Sequence, residues 1–83
     1  MDPSAVLREV GVLVDAWCDR RCLRALRAIL SGYPMASMLT DSWGELVRAL
    51  EEVRAFARPE LTEDEAASVD RLVGAASAIA FRA

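Results

Sequence analysis

Two helix-opening phrases, Leu39-Thr40-Asp41 and Leu61-Thr62-Glu63, constrain the fold of this chain more than any other feature. Each places an apolar residue, a hydroxyl able to accept from orphan amides and an acid directly ahead of a run with helical period. The second continues to Thr62-Glu63-Asp64-Glu65, the spacing of a capping box, in which hydroxyl and carboxylate satisfy each other's backbone amides. After Thr40, residues Trp43, Leu46, Val47, Leu50, Val53 and Ala57 keep i, i+3, i+4 spacing while Glu45, Arg48 and Glu52 fall opposite. Pro59 disfavours helix in the residue before it, so this helix is expected to end near Arg58. After the capping box, Val69, Leu72, Val73, Ala76 and Ile79 form the next stripe. Gly74, Ala75 and Ala78 make another side of that helix smooth enough for a second helix to approach. Beyond their shared start the two segments match only at Val47 with Val69 and Leu50 with Leu72, which is too little for a solenoid repeat.

The N-terminal run opens on Asp2-Pro3, a cap followed by a proline in the one turn that tolerates it, and ends at Ser31-Gly32 before Pro34. Its apolar phase changes part-way. Val6, Leu7, Val10, Leu13, Val14 and Trp17 share one side of a helical wheel, whereas Cys18, Cys22, Leu26 and Ile29 share a side rotated by roughly 120°. A change between Asp15 and Asp19 would explain this, but no glycine or proline stands there to break the helix. A long helix, continuous or mildly kinked, with two contact surfaces is therefore expected. The expected fold is all-α: one small bundle-like domain over residues 1–83, built from that long helix and two further helices. Its expected core is Val10, Leu13, Trp17, Leu26, Ile29, Trp43, Leu46, Val47, Leu50, Val53, Val69, Leu72, Val73 and Ile79.

At 83 residues the chain is near the lower end of what folds unaided, yet 54% of it is apolar. Alanine accounts for part of that excess. The remainder, with the two faces of the first helix, points to a homodimer in which one half of that helix is buried internally and the other half against a mate, with Leu13 and Trp17 serving both folding and association.

Composition removes most enzyme templates. The sequence holds no His, Lys, Asn or Gln. There is accordingly no imidazole base, no P-loop or Schiff-base lysine, and nothing to activate Ser31, Ser37 or Ser42. No catalytic residue, cofactor or metal is expected. Arginine without lysine and abundant alanine suggest a GC-rich bacterial genome. A net charge of −3 argues against nucleic acid or an acidic membrane as the main partner. No apolar run is long enough to span a bilayer, and Met-Asp-Pro-Ser has no basic stretch before an apolar one, so a cytoplasmic address with reduced thiols is expected.

Several patterns carry weaker chemical readings. Cys18 and Cys22 at i, i+4 would share a helix face, which suits packing, a thiol switch or half of a metal site shared across a dimer. Packing is the most economical of these, because i, i+4 sulfurs are too far apart for a relaxed disulfide and two ligands do not make a zinc site. Arg20, Arg24 and Arg27 line one side of the expected long helix, with Arg21 nearby, and form the best positive patch. They suit either a solvated face paired with Glu45, Glu51 or Glu52, or phosphate contact by a small DNA-associated regulator. The acids at Glu60, Glu63, Asp64 and Glu65 lack the alternation of a calcium loop, and capping already accounts for Glu65.

The connector from Gly32 to Leu39 is unusually apolar for a loop. It either folds over the core as a lid or exposes Tyr33, Met35 and Met38 as a contact patch for another protein. Phe81, off the main stripe, is a further candidate contact. The function that fits best is a non-enzymatic protein-protein interaction module, such as an adaptor, an antitoxin- or immunity-like partner, or a small regulatory subunit. The DNA-associated regulator using Arg20, Arg24 and Arg27 is the alternative, and a thiol switch at Cys18 and Cys22 the third reading.

Overall fold

The computed structural model describes residues 2–34 and 40–81. They form an all-α domain. Helix α1 runs over Pro3–Arg20, α2 over Leu23–Ile29, α3 over Thr40–Phe56 and α4 over Glu63–Ala80, with a 3₁₀ turn at Arg58–Glu60 between the last two.

Four helices stand where three were expected, because the long N-terminal run is two helices meeting at an elbow. The break falls at Arg21, later than the Asp15–Asp19 stretch where the phase changes. Arg21 adopts the left-handed conformation, with φ 56° and ψ 46°. Its amide donates to the Cys18 carbonyl at 3.2 Å, and the Cys22 amide donates to the Trp17 carbonyl at 2.8 Å. This pair of bonds is a Schellman motif, which closes off the last carbonyls of a helix. Glycine is the usual residue at such a position because a Cβ is crowded there. Arginine fills it here.

The elbow lets both apolar faces enter one core. Val6, Val10, Leu13 and Trp17 of α1 are buried in the same cluster as Cys22, Ala25, Ala28 and Ile29. A straight helix would have needed two separate neighbours for those faces. Leu13 and Trp17, expected in the core and linked above to both folding and association, are buried within the single chain.

Helices α3 and α4 pack most extensively against each other, and α2 lies against α3. Trp43, Leu46, Val47, Leu50 and Val53 bury the expected stripe of α3, with Ala49 beside it. Val69, Leu72, Val73 and Ala76 do the same for α4. Leu26 and Ile79, expected in the core, are half-buried at its edge. Of the smooth side, Ala75 is half-buried against the core, whereas Gly74 and Ala78 face outward and a Cβ built on Gly74 would meet nothing within 4 Å, so among the described residues no helix packs closely over that glycine.

Gly32 has a packing role instead. A Cβ added there would sit 2.5 Å from the Glu45 carbonyl oxygen, so its bare backbone lets the turn after α2 abut α3. Arg71 of α4 pairs with Glu9 of α1, and Arg54 of α3 reaches Asp70 of α4 at 3.8 Å. Such exposed pairs are worth about 0–1 kcal/mol each and guide register more than they stabilise.

Candidate functional site

Helix α2 has only seven residues, and its two sides differ sharply. Cys22 at its N-cap and Ala25, Ala28 and Ile29 within it are buried, which places Leu23, Arg24, Arg27 and Leu30 on the solvent side. Leu23, Arg27 and Leu30 are spaced i, i+4, i+7 and therefore form one ridge. Leu23 is 70% exposed and Leu30 55%, with Phe56 from the last turn of α3 exposed to 71%. Arg24 and Arg27 look across Ala28 toward Glu52 and Phe56, and these five residues line an open groove of about 430 Å³. Phe56 and Glu52 also line a second hollow of about 340 Å³ on the far side, with Arg48, Glu51 and Ala55. Neither Arg24 nor Arg27 makes an ion pair or hydrogen bond among the described residues.

A polar cluster ties the elbow that precedes α2 to the 3₁₀ turn and the start of α4. The Arg20 guanidinium donates twice to Glu65, Nη1 to Oε2 at 2.7 Å and Nη2 to Oε1 at 2.6 Å. Its Nη2 also reaches the Glu60 carbonyl at 3.3 Å. Glu65 completes the expected capping box, accepting from the Thr62 amide at 3.1 Å while its own amide donates to Thr62 Oγ1 at 3.1 Å. The hydrogen bonds from Arg20 hold the Glu65 carboxyl below the usual range, against the opposing effect of its burial, with the Thr62 amide adding to them. Those same bonds push the already basic Arg20 higher still. The wholly buried Trp17 indole N–H faces this carboxylate and favours its charge, although it falls short of good hydrogen-bond geometry.

Glu60 supplies what α2 lacks. Cys22 makes no side-chain cap, and Glu60 Oε1 accepts the Ala25 amide at 2.9 Å instead. The Cys22 thiol in turn donates to the Glu60 carbonyl at 3.6 Å.

The residues singled out from sequence are scattered across this arrangement. Arg20 is committed to Glu65 rather than to Glu45, Glu51 or Glu52, so only Arg24 and Arg27 remain together on the groove. The elbow also separates the cysteines: Cys18 is exposed on α1, whereas Cys22 is buried at the start of α2, so no helix face is shared. Tyr33 is half-buried against the core, its hydroxyl 3.0 Å from the point a Cβ on Gly11 would occupy. Met35 and Met38 lie outside the described residues. Phe81 is 70% exposed at the end of α4. Asp2 was expected to cap α1 with its side chain, but only its carbonyl bonds, accepting the Val6 amide at 3.0 Å.

Leu23, Leu30 and Phe56 were not singled out from sequence. The signals were present: Phe56 lies off the α3 stripe, and the leucines bracket Arg27 at i, i+7. Among the described residues no three His, Cys, Asp or Glu side chains are grouped to hold a metal, and no helix is long and apolar enough to cross a membrane. No protein-family model, curated protein or solved structure matches this chain.

Proposed function

We propose that this chain is a non-enzymatic protein-interaction module that binds through the outer face of α2 together with Phe56. The observation that carries the reading is the exposure of three large apolar side chains on neighbouring surfaces, Phe56 in the lining of an open groove and Leu23 and Leu30 on the adjoining outer ridge of α2. Single exposed apolar residues are ordinary, but an exposed aromatic in a groove lined by two arginines, beside a ridge carrying two exposed leucines, matches the composition of contact surfaces. An adaptor, an immunity- or antitoxin-like partner and a small regulatory subunit would all use such a face, acting in a bacterial cytoplasm. Commitment of Arg20 to Glu65 weakens the DNA-associated alternative by leaving two arginines beside a carboxylate and exposed leucines. Self-association of two chains through this face is a narrower form of the same reading.

A photo-crosslinking residue placed at Leu23 or Phe56 in the native host tests the proposal, with the same residue at exposed Ala67 as control. Reproducible protein adducts from the first two positions and not from the control are expected. The absence of adducts, or equal adducts from all three, would overturn it.

A further inference from the structure

We infer that the α2 groove receives an acidic amphipathic segment of a partner protein, its carboxylates on Arg24 and Arg27 and an apolar side chain against Ala28 and Phe56. This rests on the interaction reading above and names the chemistry of the occupant. The groove carries two arginines against one carboxylate, Glu52, in a chain whose net charge is −3. It is thus a locally positive site on an acidic molecule.

The layout also orients the occupant. Arg24 and Arg27 are i, i+3 neighbours on the α2 side, one turn apart, and each can take a carboxylate through two parallel N–H donors. Glu52 stands on the α3 side and repels acids there. The apolar side chain must therefore lie toward Ala28 and Phe56, with Leu23 and Leu30 meeting flanking apolar residues along the ridge. Carboxylates one helical turn apart, with an apolar residue beside them, meet these demands together. A phosphate backbone meets only the arginines, and Glu52 with Phe56 in the same groove opposes it. A second copy of this chain would have to offer the exposed Asp15 and Asp19 of α1 or Glu63 and Asp64 of α4, since Glu60 and Glu65 are already engaged, and the protein-concentration series below reads that occupant.

Backbone-amide NMR of the isotope-labelled full chain tests this with three probes. The first is a helical Leu/Glu peptide carrying glutamates at i, i+3, the second is the same peptide with lysine for glutamate, and the third is a short DNA duplex. The glutamate peptide is expected to shift resonances of residues 23–30 and 52–56, and the lysine peptide and duplex are not. The R24E/R27E double variant is expected to lose about tenfold or more in affinity for the glutamate peptide and to gain binding to the lysine peptide. Both positions are exposed and make no ion pair among the described residues, and a thermal melt checks that the variant folds. F56A is expected to weaken binding without altering the preference for acid.

Equal binding of both peptides, shifts mapping elsewhere, or shifts from the duplex alone would overturn the inference. So would shifts at these residues on raising protein concentration without peptide, which would assign the groove to a second copy. Crosslinks from Leu23 and Phe56 that persist in R24E/R27E would leave the interaction reading standing and remove this one.

Discussion

Arg20 holds Glu65 through both terminal guanidinium nitrogens, at 2.7 and 2.6 Å, and the carboxylate it holds is the one that caps helix α4. One side chain thereby ties the end of α1 to the start of α4, and the Glu60 carbonyl places the 3₁₀ turn on the same guanidinium. The cluster stabilises the folded chain in proportion to the ionised fraction of Glu65.

The sign of the resulting pH dependence follows from the direction of the shift. Glu65 is more acidic folded than unfolded, so its contribution is fully present above the ordinary carboxylate range and is lost as pH falls through its folded value. Glu65→Gln is expected to be less stable than the parent at neutral pH. The gap is expected to close as pH falls through and below the ordinary carboxylate range. Urea unfolding at several pH values reads this directly, and a gap that stays constant would show that the charge of Glu65 contributes nothing.

Glu60 caps α2 from across the fold, and the cap should be measurable. Loss of a helix cap costs about 1 kcal/mol. Glu60→Ala is therefore expected to lower stability by about that amount. Amide exchange of Ala25 should quicken more than that of Leu50 in the centre of α3. Equal changes at both positions would mean that Glu60 acts on global stability alone.

Arginine at the left-handed position of the α1 elbow is a local cost that glycine would relieve. Arg21 makes no ion pair among the described residues, so little is lost with its side chain. Arg21→Gly is expected to raise stability by about 1 kcal/mol, or roughly 4–8 °C in Tm for a domain of this size. A lower Tm would indicate that the elbow is held by the arginine side chain itself.

Gly32 and Gly74 should respond oppositely to alanine. A Cβ on Gly32 collides with the backbone oxygen of Glu45, and overpacking of that kind costs about 1–3 kcal/mol. A Cβ on Gly74 meets nothing, and alanine inside a helix gains about 1 kcal/mol over glycine. Chemical denaturation of Gly32→Ala and Gly74→Ala separates the two. A loss at Gly74 that grows with protein concentration would mean that another chain packs on the smooth side of α4.

Helix type, the α3 and α4 stripes and the capping box could be read in the sequence because each depends on neighbours within a turn or two. The capping box needs only Thr62 and Glu65, and both bonds are present. The elbow was less legible. The apolar phase showed that something changes after Trp17, but helix ends without glycine or proline carry no local marker, and Arg21 lacks one. That single φ decides whether Arg20, Arg24 and Arg27 form a row and whether Cys18 and Cys22 share a face. The pairing of Arg20 with Glu65 was not legible either, because it depends on how α1 lies against α4. The groove combines α2 with the end of α3, and no window of sequence contains both.

Seven residues are too few for a helix to persist alone in water, where about 12–15 are needed even for favourable sequences. The outward side of α2 therefore has no existence as a surface until Glu60, Ile29 and α3 are in place. Any ligand of that side binds the assembled domain and not a nascent or damaged chain, so occupancy acts as a readout of completed folding. The coupling runs both ways: a ligand at a hundred times its Kd would add about 2.7 kcal/mol to the stability of the whole domain.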